Sequence, residues 1–185
     1  MSAVLRVVLD RLGVEQPTSV SRYAEELTRA LIASAPRGCT VEGIVSASGA
    51  DSSAVLRDRL PGLSEVHVSS LPHRELRTAW QLGLATGIAP GLLHAPDLLA
   101  PLRKHDRRYE SAQSVVTIHN TLAWTHPKSL HSSEVAWQKA MLRRAKKFAD
   151  AVIVPSHAGA AQLAEIVAFG DRVRVIEHGA SPTLT

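Results

Sequence analysis

Ser114-Val-Val-Thr-Ile-His-Asn120 is the stretch on which the fold turns. Val115 to Ile118 form an unbroken apolar and β-branched run, which suits a strand buried on both faces, as in a parallel sheet covered by helices. The run stops on two hydrogen-bonding side chains, His119 and Asn120. Ligands of open α/β sheets bind in the crevice outside the strands' carboxyl ends, so His119 is the leading functional candidate.

Working outward, the same kind of run recurs at Leu92 to Ala95 before it and at Ala151 to Val154 after it. Leu5 to Leu9, Val41 to Val45, Glu65 to Val68 and Arg172 to Ile176 complete a set of seven expected strands. Between them lie segments of helical period. Val20, Tyr23, Ala24, Leu27 and Leu31 share one stripe, ended by Pro36 and Gly38, and Trp137, Met141, Ala145 and Phe148 share another. Further helices are expected over 51–60, over 73–84, from Ser156 to about Val167, and as a short piece over 97–103. Strands alternating with helices predict a single α/β domain over 1–185, a doubly wound, mostly parallel sheet of about seven strands with right-handed crossovers.

The composition fits a globular domain: 45% hydrophobic and 21% charged, with no apolar run long enough for a membrane span. An early charge in Met-Ser-Ala-Val-Leu-Arg rules against a signal-peptide core, so a cytoplasmic protein is expected. Cys39 is the only cysteine and is read as a small buried hydrophobe; an internal disulfide and a Cys-based metal site are excluded. Net charge is +4. Arg103, Lys104, Arg107, Arg108 and the basic residues between Lys139 and Lys147 could meet an anionic membrane surface, or simply form a solvated face. Two Phe, two Tyr and three Trp are too few to interleave with them for base stacking, so no nucleic-acid partner is expected.

Parallel strands gather their carboxyl ends on one rim, which brings together Asp10, Thr18 to Ser21, Ser46, His94 to Asp97, His119 and Asn120, Ser156 and His157, and Glu177 to Gly179. His119 either faces a hydroxylated ligand, handling a proton near neutrality, or caps a strand end. Asn120 can bond a ligand or satisfy a turn. Ser156 reads as an N-cap at a helix start where anions are favoured. His94 and Asp97 bracket Pro96 and could line the crevice. No nucleophile elbow, His-Glu-x-x-His or Gly-x-Gly-x-x-Gly motif occurs, so hydrolysis, a metal site and an ordinary dinucleotide domain are not expected.

In order, Leu5-Arg-Val-Val-Leu-Asp10, Ser21 to Leu31, Leu93-His-Ala-Pro96, Val115 to Asn120, Ala149 to Ser156 and Val173-Arg-Val-Ile-Glu-His-Gly179 resemble the N-terminal half of glycosyltransferase family 4 enzymes. The resemblance implies a Rossmann-like half of a GT-B fold and a retaining transferase. It would move sugar from a nucleotide-sugar donor to a hydroxyl acceptor, with no cofactor and no metal. It implies a catalytic role for His119 and places Thr18, Ser19, Ser21, His94, Asp97, Asn120 and Ser156 along the cleft. The departures are Thr18-Ser-Val-Ser21 where the family has a glycine-rich turn, Asn120 for the usual Asp, and an end at Thr185 before the donor-binding domain. The chain is therefore expected to be inactive alone and to need that C-terminal domain in cis or in trans. Peripheral membrane contact and a homodimer through the exposed cleft face are further expectations. The alternative is a non-catalytic α/β ligand-binding or regulatory module.

Overall fold

The structure, a computed structural model, describes residues 3–13, 18–47, 52–88, 91–108 and 112–179. Seven strands form one all-parallel sheet in the order β3-β2-β1-β4-β5-β6-β7. They are β1 (Ala3–Val8), β2 (Cys39–Ala47), β3 (Glu65–Pro72), β4 (Leu92–Ala95), β5 (Ser114–Thr117), β6 (Ala151–Val154) and β7 (Val173–Val175). Helices α1 (Ser19–Ser34), α2 (Ser52–Arg59), α3 (His73–Leu82), α4 (Leu122–Thr125), α5 (Ser132–Phe148) and α6 (His157–Ile166) join them. The strand order reverses direction between β1 and β4, whose paired residues include Val7 and His94. That reversal opens the crevice.

Strand alternation splits the interior into two layers. Val8, Ile44, Leu93, Ala95, Val116 and Val152 pack with Leu76 and Trp80 of α3, Trp137 and Met141 of α5 and Leu163 of α6. On the other face Val7, Leu9, Val41, Val45 and Val66 pack with Ala24 of α1, Leu56 of α2 and Leu60 just after it. Truncating a fully buried leucine, isoleucine or methionine of these layers to Ala costs about 2–5 kcal/mol, which is the scale on which the layers hold the sheet. One partly polar exception is Trp80, which is completely buried yet donates from Nε1 to Thr86 Oγ1 at 2.9 Å.

Several expectations need correction. Residues 97–103 are not helical: Pro101 disfavours helical backbone at Ala100, and Asp97 Oδ1 instead accepts a hydrogen bond from Leu99 N at 2.7 Å. The segment is irregular, turning back at Leu102, whose N–H donates to Ala100 O at 2.8 Å, and it buries Leu98, Leu99, Ala100 and Leu102 beneath α3 and α5. Helix α3 stops at Leu82 rather than Leu84, because Gly83 adopts a left-handed φ of 77° and returns its N–H to Trp80 O. Helix α4, between β5 and α5, has no periodicity in the sequence to announce it. Cys39 is partly exposed at the start of β2, not buried. Residue 51, the first of the helix expected over 51–60, lies outside the described residues.

Candidate functional site

The rim is built from side chains that leave the sheet just past each strand. His119 lies two residues beyond β5, half-buried, and its Nε2–H donates to Pro96 O, just past β4, at 2.7 Å. That bond fixes the ring's tautomer when it is neutral, leaving Nδ1 as the acceptor. Burial holds its pKa below the ordinary histidine value, against the Pro96 carbonyl's opposing pull, and nearby His178 adds to the depression. The imidazole is therefore neutral at pH 7.

Two further rings complete the cluster. Tyr23, on the first turns of α1, meets His119 edge-on at 4.8 Å between centroids and lies 4.5 Å from His178, which follows β7. The two imidazoles are 5.4 Å apart. Burial raises the Tyr23 pKa, so its phenol stays protonated and hydrogen-bonds Thr117 Oγ1 at 3.3 Å. A cavity of about 100 Å³ opens beside them, with Asp97, His119 and Asn120 on the sheet side and Glu134, Trp137 and Gln138 of α5 opposite. Glu134 is paired with Arg77 of α3, whose guanidinium also lies 3.9 Å over the Trp137 ring. The cavity thus offers neutral and acceptor groups, a lining suited to hydroxyls.

The other expected residues divide. Asp97 and Asn120 share the cavity with His119, although Asn120 is exposed and its Oδ1 accepts from Leu122 N at 3.1 Å, closing the turn into α4. His94 is at the end of β4 but sealed, with Nε2 3.1 Å from Thr117 Oγ1, and burial lowers its pKa to about 4. Thr18 and Ser21 form a reciprocal capping box on α1: Ser21 N donates to Thr18 Oγ1 at 3.1 Å and Thr18 N to Ser21 Oγ at 3.3 Å. Ser19 stands exposed at the first helical position. Ser156 caps α6, its Oγ accepting from Gly159 N at 3.0 Å.

Tyr23 and Trp137 sit on helix stripes that read as core, and Glu134 and Gln138 are polar helix residues with no motif to mark them, so none of the four stands out in the sequence. The first turns of a helix following β1 always face the switch point, and that rule would have flagged Tyr23. A second gathering lies on the β1–β3 side of the rim. Asp10 Oδ1 accepts from Ser46 N at 2.6 Å, and Oδ2 accepts from Nδ1 of His73, the first residue of α3. Burial alone would raise the Asp10 pKa, but these bonds overcome it and hold the carboxyl below its ordinary value.

Other hollows lie away from this rim cluster. One of about 140 Å³ near the amino edge is lined by Leu84, Ile88 and Leu93 together with Arg103, Lys104 and His105. Glu42, Glu65 and His67 bring ligand atoms within 4.8 Å of one another on β2 and β3, but Glu42 Oε2 is engaged by Arg6 Nε at 3.0 Å and His67 Nε2 at 2.7 Å. Among the described residues, no helix is long and apolar enough to cross a membrane.

Residues 20–184 match the family model described as Glycosyltransferase Family 4. No curated protein sequence matches the chain significantly. Among solved structures, the crystal structure of Anabaena HepE in complex with UDP is similar in fold, with a TM-score of 0.51 and 14% identity. The likeness covers 98% of this chain and 47% of that one, so the chain spans about half the length of HepE.

Proposed function

The chain belongs to glycosyltransferase family 4, and on that premise we propose that it is the acceptor-side half of a retaining enzyme moving sugar from a nucleotide-sugar to a hydroxyl acceptor. The observation that carries this reading is His119, a neutral imidazole at the strand-order reversal with Nε2 committed to Pro96 and Nδ1 left to accept a sugar hydroxyl. Tyr23, Asp97, Asn120 and His178 surround the same position. The donor is a substrate, gripped mainly by a second Rossmann-like domain in cis or in trans, and neither cofactor nor metal is required. A likeness that takes in half of the UDP-bound HepE chain supports that division. A cytoplasmic setting, peripheral membrane contact through the basic surface and pairing of two copies through the cleft face belong to the same proposal. Vesicle sedimentation and light scattering test the last two.

The decisive experiment joins residues 1–185 to a family 4 donor-binding domain and measures transfer. His119→Ala is expected to lower kcat/KM about a hundredfold, while the isolated chain stays below roughly one turnover per second. Affinity for the sugar should fall as pH drops through a pKa below the ordinary 6.5, because protonated Nδ1 can no longer accept. Survival of transfer within a few-fold in His119→Ala defeats the proposal, as does rapid transfer by the isolated chain. The capping box at Thr18 and Ser21 favours a second reading, a ligand-binding module without transfer, since it occupies side chains that would otherwise face donor phosphates. Saccharide binding with no transfer in the joined protein would select it.

A further inference from the structure

The Asp10–His73 pair lies outside the His119 cluster and has no part in the mechanism above. Asp10, His73 and Ser46 come from three separate stretches, meeting only because β1, β2 and β3 end together. The Asp10 side chain is 2% exposed and that of His73 42% exposed. A ligand can therefore reach the ring and not the carboxylate. An ionised carboxylate only accepts, so Nδ1 of His73 must donate to it, and the lone pair of the neutral ring is confined to Nε2. This is the arrangement by which a buried carboxylate sets the tautomer of a working imidazole.

We infer that His73, held by Asp10, is a second ligand-binding imidazole on the rim, with Nε2 accepting a hydrogen bond from a hydroxyl of a saccharide acceptor. The inference rests on the acceptor-side reading and adds a specificity-determining residue to it. Asp10 acts through His73 and is a positioning residue. Along the rim, the ends of β1 and β5 are two strand spacings apart, about 10 Å. His73 itself opens α3 beyond β3, four spacings from β5, and its ring reaches back to Asp10 beyond β1, so His119 and His73 address separate stretches of one rim, the first at the transferred sugar and the second on a more distant part of the acceptor.

The test follows the histidine ring nitrogens of the 1–185 chain by NMR while methyl glucoside, methyl mannoside and methyl galactoside are titrated in turn, with His73→Gln used to assign the signals. At least one glycoside should shift the His73 Nε2 signal, and Asp10→Asn, whose amide can donate to Nδ1 and so release the tautomer, should weaken that response at least tenfold. Shifts at His119 and Asp97 with His73 unmoved would overturn the inference and leave the acceptor reading standing. Silence across the whole rim would overturn both. An undiminished response in Asp10→Asn would overturn the role given to Asp10. The wild-type titration does not depend on whether a His73 variant folds.

Discussion

Thr117 Oγ1 lies between two unlike partners, the phenol of Tyr23 and the sealed imidazole of His94. While His94 is neutral, its Nε2 and the two hydroxyls can share their protons in either sense. Once protonated, Nε2 must donate, and Thr117 must turn its own proton toward Tyr23, which packs on His119. His94 also ties the fold to pH. Its pKa is about 4 in the folded chain against 6.5 ordinarily. Between those values only the unfolded chain takes up the proton, so stability falls as pH falls from 6.5 toward 4 and no further below. From pH 7 to pH 5 this one ring should remove about 2 kcal/mol. Urea unfolding at both pH values checks it: His94→Gln should flatten the loss by that amount, and an unchanged difference would show that burial does not hold the ring neutral.

Ser156 poses at the level of a helix the question of whether a rim hydroxyl serves the fold or a ligand. Its Oγ is the N-cap of α6, and Ser156→Ala should cost about 1 kcal/mol in denaturant unfolding while Ser156→Asp keeps the cap. A stability change under roughly 0.3 kcal/mol would argue that the hydroxyl is held for something other than the helix. The strands were legible for a simple reason. Val115 to Thr117, Leu92 to Ala95 and Ala151 to Val154 are buried from both faces, and such strands read as nearly continuous runs rich in valine, isoleucine and leucine. Capping was legible too, since Ser156 precedes a helical stripe. The pocket was half legible: His119 and Asp97 follow strands, whereas Glu134 and Gln138 are helix residues that become lining only when α5 crosses the sheet. Residues 97–103 misled because Leu98, Leu99 and Leu102 have helical spacing but are buried in an irregular, turned segment.

Across the whole molecule the two edges of the sheet differ in content. Connections that leave the carboxyl ends carry Asp10, His119, Asn120, Ser156 and His178. Those that enter the amino ends carry tethers: His105 Nε2 is 2.8 Å from Asp150 Oδ2, Ser114 N donates to the same oxygen at 2.7 Å, and Arg107 donates to Lys147 O at 2.8 Å. A four-residue Gly-Ser insertion after Gly62 should leave glycoside binding within twofold of wild type, whereas the same insertion after Thr121 should abolish it. Calorimetric titration of both chains decides this, and equal losses would contradict the separation. Because all seven strands point the same way, changes of ligand preference need alter only segments on one side, and the packed layers can stay as they are. Exchange of 121–131 between relatives is then a route to new selectivity that need not disturb either hydrophobic layer.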